Sequence, residues 1–344
     1  MLPPAPRILI VKLWAIGDMI MATPIVDALR KRYPGCHISW LAHTEYASVL
    51  EGAPGIDEVI PLDATAWLRW FRRGRWIGFL RETRKMRRSL RERKFDIVIN
   101  YSAGKWWGVW FNIAPKSYGL LFKPLSPLRL FYTKSIAETT SMHTVRFHML
   151  LAPLLDCPAD NVVMVAGHMP NEGEYIDGFR ATHSIDPGRP LVVMSPFSSN
   201  RTKDWPVERY ATLADHLAEK FAATIVVSHS SVDRDRAREL DRLTNAPLVL
   251  PDSTTLLEYI ALLRAANLVV CNDSSAMHLT AAVGTPLVAL CGPIPYWEKM
   301  PLYGPTRIVA AHPKETRPID EVPVEDAIRA ADEMLSETAS ETPR

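Results

Sequence analysis

Short, almost wholly apolar runs alternate with stretches of helical periodicity along this chain, and the alternation starts twice. The first start is Arg7-Ile-Leu-Ile-Val-Lys12. A run of this length without polar alternation is what a strand buried on both faces of a parallel sheet requires. Gly17-Asp18 makes a turn. Ile20, Pro24, Ile25, Ala28 and Leu29 then recur at helical spacing, which predicts one helix over residues 19–33. Residues 37–42, 59–62 and 95–101 predict further strands. After Pro190 the rhythm restarts, with strands over residues 191–195, 224–228, 268–272 and 286–291. Helices are predicted over 206–221 (proline at its first position), 232–243, 255–265 and 274–283. Strands alternating with helices specify βαβ units and open parallel sheets, here two of them. The fold class is therefore α/β. An N-terminal domain is expected over residues 1–170, a polar linker over 171–189, a C-terminal domain over 190–335 and a frayed tail over 336–344.

A chain of 344 residues with 47% hydrophobic and 23% charged side chains can bury two cores, which excludes disorder as its main state. Cys36, Cys157, Cys271 and Cys291 are scattered singly, so neither a zinc ribbon nor a disulfide framework is expected, and a reducing compartment is. No window holds 18 apolar residues, and Arg7, Lys12 and Asp18 interrupt the N-terminal apolar stretch. Neither a membrane span nor a signal peptide is expected, and the location predicted is cytoplasmic.

The net charge of +2 conceals an asymmetry: residues 67–94 hold twelve Lys or Arg against two acids. Within residues 67–110, Trp70 and Trp76 are interleaved with Arg69, Arg72, Arg73 and Arg75. That is the composition of a face that meets an anionic lipid surface. It also suits a charged surface helix whose aromatics enter the core. Nucleic acid is not an expected partner, because no recognised binding module accompanies the patch.

In open parallel sheets ligands bind beyond the carboxyl ends of the strands, which selects three turns. In the first, Asp18 lies at a predicted helix start, where a carboxylate either caps free N–H groups or serves as a general base. In the second, Ser198, Ser199, Arg201 and Lys203 crowd before a proline-started helix. This suits a phosphate, and equally a solvated polar loop. In the third, Asp273 precedes Ser274, Ser275, Ala276, Met277 and His278. There a helix N-terminus could face an anion and Asp273 could accept sugar hydroxyls, or Asp273 could be a cap and His278 a satisfied half-buried histidine. GxGxxG, GxxxxGK[ST] and GxSxG are absent. Asp233-Arg-Asp235 fits the solvated face of a charged helix better than a metal site. His143 and His148 fall on different helix faces, so no metal is expected.

Taken together and in order, the three turns resemble glycosyltransferase family 9, the heptosyltransferases of the lipopolysaccharide inner core. The resemblance runs from about Arg7 to Tyr303. It rests on ILIVKLWAIGDMIMATPIVDALRKRYPG, KDWPVERYATLADHL and NDSSAMHLTAAVGTPLVALCGP. It implies a GT-B fold, with two Rossmann-like parallel-sheet domains facing across a cleft, acceptor on the first and nucleotide-sugar on the second. It also implies an inverting, metal-independent transfer with no cofactor, from ADP-heptose as co-substrate to a lipid-linked anionic saccharide at the inner face of the plasma membrane. By position Asp18 matches the family's general base and Lys203 the lysine near the donor diphosphate, with Ser198 and Ser199 its neighbouring hydroxyls. Asp273 matches the aspartate on the donor sugar, and Ser274, Ser275, Ala276, Met277 and His278 match the diphosphate turn. Ser275 stands where the family usually has glycine, and His229-Ser-Ser-Val232 where members often place a ribose-side glutamate. Two other expectations stand beside this one: a non-catalytic binding module for a sugar-nucleotide or lipid-saccharide, and a related transferase with another nucleotide-sugar.

Overall fold

The computed structural model describes residues 3–121, 126–137, 142–313 and 315–341. The chain divides into two compact units between Gly167 and His168.

The first unit is built on six parallel strands: β1 (Arg7–Val11), β2 (His37–His43), β3 (Glu58–Leu62), β4 (Ile97–Asn100), β5 (Lys116–Leu121) and β6 (Lys134–Ala137). Their order is β3-β2-β1-β4-β5-β6. β1 is central, with Leu9 opposite Ser39 of β2 and Val98 of β4. Ile8, Leu9, Ile10 and Val11 expose nothing, which is why their run lacks polar alternation. Among the described residues five helices accompany the sheet: α1 (Ile16–Ile20), α2 (Pro24–Arg32), α3 (Ala64–Arg72), α4 (Trp76–Glu92) and α5 (Thr144–Met149). The single helix predicted over residues 19–33 is thus two. Pro24 has no N–H, and its ring would collide with the carbonyl of Ile20. The chain turns instead, Thr23 donating to Ile20 O from both its N–H (3.0 Å) and its Oγ1 (2.7 Å), and Pro24 opens α2.

The second unit repeats the plan with β7 (Leu191–Ser195), β8 (Thr224–Val227), β9 (Leu248–Val249), β10 (Leu268–Asn272), β11 (Leu287–Cys291) and β12 (Thr306–Ala310). The order β12-β11-β10-β7-β8-β9 is that of the first sheet read from its other edge. Its helices are α6 (Glu172–Thr182), α7 (Val207–Phe221), α8 (Arg234–Leu243), α9 (Leu256–Ala265), α10 (Ser275–Val283) and α11 (Val324–Glu341). The core joins Val192, Met194, Trp205, Tyr210, Leu213 and Leu217, with α11 packed on α7, β11 and β12.

Two boundaries differ from the sequence reading. Most of the expected linker, residues 171–189, is α6, which buries Ile176 and Phe179 against α9 and pairs Glu172 with Arg264. Only those two of its residues are buried, among acids and two glycines, so its composition reads as linker. Of the expected tail, residues 336–341 continue α11, and 342–344 lie outside the described residues. Arg307 on β12 holds this stretch, 2.7 Å from Glu337 and 3.5 Å from Glu333. All four cysteines are buried and unbridged. Burial pushes the Cys157 thiol up to about 11 and raises those of Cys271 and Cys291 further, so they stay protonated and unreactive. Among the described residues no helix is long and apolar enough to cross a membrane.

Candidate active site

In the second unit, the turns after β7 and β10 are stitched together by a buried amide. Asn272, at the end of β10, donates its Nδ2 to Pro196 O (2.7 Å), and its Oδ1 accepts from Tyr210 Oη (2.9 Å) and Trp205 N (3.4 Å). Trp205 is itself fixed, 1% exposed with its indole N–H on Val322 O at 3.0 Å. This brings Lys203, at the end of the turn Arg201–Lys203, onto Asp273. Lys203 Nζ lies 3.0 Å from Asp273 Oδ2 and 3.1 Å from Asp273 O. The Asp273 side chain is 3% exposed and that of Lys203 17%, so the carboxylate is buried and the lysine keeps part of its surface in solvent.

The capping alternative for Asp273 fails because the next residue takes that place. Ser274 is the N-cap of α10, its Oγ accepting from Ala276 N at 3.3 Å. The N–H groups of Ser275 and Met277 lie in the first turn of a nine-residue helix, where N–H groups have no acceptor within the helix itself. Ser275 is absent from the residues of positive φ, so the position does not require glycine's conformational freedom. His278 is buried one turn further in.

The loop carrying Ser198 and Ser199 has its own internal order. Asp204 Oδ1 accepts from Ser198 N and Ser198 Oγ, each at 2.8 Å, and Ser198 Oγ also lies 2.7 Å from Asn200 O. The Ser198 hydroxyl, expected to face a ligand, is thus engaged within the loop, while Ser199 is exposed. Behind Asp204, Arg236 approaches to 2.9 Å and Arg201 to 3.4 Å. Burial raises the Asp204 carboxyl above its ordinary range, against the opposing pull of the Ser198 hydrogen bonds and Arg201. Asp233 belongs to the same network, accepting from Arg201 (2.7 Å), Ser230 Oγ (2.6 Å) and Arg236 (3.3 Å). The solvated-face reading therefore holds for Asp235 and fails for Asp233, which is 8% exposed. Asn272, Asp204 and Arg236 escaped the sequence reading, since each is an ordinary polar residue until the fold buries it. Among the described residues no group of three or more His, Cys, Asp or Glu could hold a metal ion.

The first unit places Asp18 in the first turn of α1, whose N-cap is Ala15 without a side-chain cap. Asp18 is therefore not the N-cap residue of the helix. Its Oδ2 lies 3.3 Å from Nζ of Lys12, which directly follows β1 and is 8% exposed, against 38% for the Asp18 side chain. Trp14, between the two in sequence, packs its ring against His43 and edge-on to Trp107. A partly open carboxylate beside a buried ammonium, at the carboxyl end of a central strand, can accept a proton from a bound hydroxyl. Lys12 was missed; its signal is a lysine closing an otherwise apolar strand run.

The basic segment forms a hairpin of α3 and α4 joined by Arg73-Gly74-Arg75, with Gly74 at φ +67°. Trp67 and Phe79 stack at 5.1 Å inside the core, and Trp67 Nε1 donates to Thr83 Oγ1 at 2.5 Å. Arg69, Arg72, Arg73, Arg75 and Trp76 are exposed, and Trp70 is half-buried. Some of the aromatics thus fill the core, as the charged-surface-helix reading requires, and a basic face with Trp76 lies outside it.

The sequence model of glycosyltransferase family 9 (heptosyltransferase) matches residues 83–321. The chain is 26% identical over 299 residues to lipopolysaccharide heptosyltransferase 1 of Pseudomonas aeruginosa, covering 83% of this chain and 79% of that protein. In structure it resembles a family 9 glycosyl transferase from Veillonella parvula, with a TM-score of 0.85 at 22% identity over 96% of this chain and 98% of that one. It also resembles Escherichia coli heptosyltransferase WaaC, solved with ADP-2-deoxy-2-fluoro heptose. There the TM-score is 0.72 at 19% identity over 95% of this chain and 99% of that one. These likenesses give the two units the GT-B fold.

Proposed function

The chain belongs to glycosyltransferase family 9, a family of heptosyltransferases, and from that premise we propose that it moves a heptose from ADP-heptose to a lipid-linked anionic saccharide such as the lipopolysaccharide inner core. The observation that carries this reading is the Lys203–Asp273 pair set beside the N-terminus of α10. An ammonium and the N–H groups of a helix N-terminus are what the departing diphosphate needs as its charge grows. Lys203 and the N–H groups of Ser275 and Met277 would hold that diphosphate, with Ser199 as a hydroxyl donor and Asp273 turned to the sugar hydroxyls. Asp18 would take the proton of the acceptor hydroxyl as its oxygen attacks the anomeric carbon from the face opposite ADP, inverting the centre, with Lys12 holding the carboxylate in place. No metal enters this scheme: the positive charge comes from Lys203 and the helix. The exposed arginines of the α3–α4 hairpin would meet the anionic acceptor at the cytoplasmic face of the inner membrane.

A thermal-shift series with ADP, UDP, GDP, CDP and TDP, without added metal, tests the donor site. A nucleotide at 100 times its Kd raises stability by about 2.7 kcal/mol, which is readily seen. Stabilisation by ADP alone is expected. Stabilisation by a different nucleotide would replace the donor, and stabilisation by none would overturn the site at Lys203 and Asp273.

A further inference from the structure

The core role of the α3–α4 hairpin is filled by Trp67 and Phe79, yet its tip leaves large apolar surface uncovered. Trp76 is 51% exposed, Ile77 87% and Leu80 39%, three bulky residues within the first turns of α4. Phe71 contacts both Trp76 and Trp106 with ring centroids at 4.7 Å, and Trp106 is itself 45% exposed, so the apolar surface is continuous. A contiguous exposed apolar cluster of this kind marks a docking site.

The same helix shows what docks. Ile77, Leu80, Arg84, Arg88 and Arg91 follow one another at spacings of three and four, so they form one stripe along α4. The stripe is apolar for its first turn and arginine thereafter. Arg84, Arg87, Arg88 and Arg91 line a shallow hollow of about 560 Å³ with Glu92 as its one acid. A protein interface is depleted of charge at its centre, whereas this surface sets predominantly positive charge directly behind a hydrophobic point, with Arg88 paired to Glu92 at 3.0 Å. Apolar residues that enter a bilayer, tryptophan at headgroup depth and arginines at the phosphates reproduce that sequence of layers.

We propose that the first turns of α4 insert Trp76, Ile77 and Leu80 into an anionic bilayer, while the arginine stripe of α4 binds the lipid phosphates. This deepens the membrane-surface reading above. It replaces adsorption by charge alone with penetration by a defined tip.

The test uses the full chain with vesicles of phosphatidylglycerol and phosphatidylethanolamine, with phosphatidylcholine vesicles as the neutral control. Neither donor nor acceptor is present, so failure here is separable from failure of the transferase reading. Co-sedimentation with anionic vesicles is expected to weaken with salt without vanishing, and lipids brominated on the acyl chain should quench tryptophan emission. Trp76→Phe should remove most of that quenching. Ile77→Glu, at a site exposed enough to leave folding intact by circular dichroism, should lower partitioning at least about tenfold, the scale of withdrawing one large aliphatic side chain from an apolar phase. Arg84→Gln with Arg88→Gln should flatten the salt dependence while acyl-chain quenching of the bound fraction persists. Binding without acyl-chain quenching, or an Ile77→Glu variant that partitions like the parent, would overturn insertion. So would a concentration-dependent dimer, formed without vesicles and abolished by Ile77→Glu, which would give the tip to a second copy.

Discussion

Lys203 reaches Asp273 twice, its ammonium lying 3.0 Å from the carboxylate Oδ2 and 3.1 Å from the same residue's carbonyl oxygen. The two residues come from turns seventy positions apart, brought together because β7 and β10 are neighbours in the sheet and Asn272 ties their ends. A carboxylate only 3% exposed is tolerable because that ammonium offsets its lost hydration. Lys203→Ala is therefore expected to cost about 3 kcal/mol or more in urea unfolding, since it strands a buried charge. Replacing both residues by apolar ones should cost less than the sum of the two single changes. An unchanged midpoint for Lys203→Ala would mean that the pair does not hold the site together.

Asp204 anchors the loop that presents Lys203. Asp204→Asn keeps the shape but removes the charge facing Arg236 and Arg201, and weakens the hold on Ser198. A loss of about 1–3 kcal/mol of stability is expected, together with weaker nucleotide binding as the loop loosens. Calorimetric titration with ADP alongside a melting curve checks both. A variant that melts earlier yet binds ADP as the parent does would detach the network from the donor site.

Lys12 gives a prediction specific to the first unit. Lys12→Met should slow turnover while leaving nucleotide affinity within a few-fold, and Lys12→Arg should recover part of the loss, because a cation near Asp18 is restored. Steady-state kinetics with varied donor separate the two quantities. If Lys12→Met changed donor affinity and left turnover alone, Lys12 would not act through Asp18.

Glu58 links β3 to the end of α4 and yields a pH dependence. Burial pushes its carboxyl up. The hydrogen bonds from Arg93 and Ser39, with the charges of Arg93 and His37, outweigh that and hold it below its ordinary value of 4.5. A carboxyl depressed on folding contributes stability that is complete above the unfolded value and is lost as pH falls through the folded one. Glu58→Gln should therefore lower the melting temperature at pH 7, and the difference from the parent should shrink as pH drops below about 4.5. A difference that stays constant from pH 7 to pH 3 would show that the ion pair adds nothing.

The central strands were legible because burial on both faces leaves an uninterrupted apolar run, as in Ile8-Leu-Ile-Val11. β5, β6 and β12 were not, since strands such as Lys116–Leu121 and Lys134–Ala137 mix polar and apolar residues. The broken helix was legible in principle, because Pro24 cannot continue a helix begun before Ile20. Asp18, Lys203 and Asp273 were singled out because all three follow strands. Their partnerships were not, because the contacts of Lys12 with Asp18 and of Asn272 with Pro196 depend on side-chain directions that spacing does not encode.

The most direct measurement incubates the chain with ADP-heptose and a lipid-linked core acceptor lacking heptose, and follows the acceptor by mass spectrometry. The account predicts the gain of one heptose with release of ADP, and a loss of about 10²- to 10⁴-fold in that rate for Asp18→Asn, the range of general-base assistance. An acceptor that stays unmodified while ADP-heptose binds at the second unit would contradict it, as would Asp18→Asn turning over like the parent.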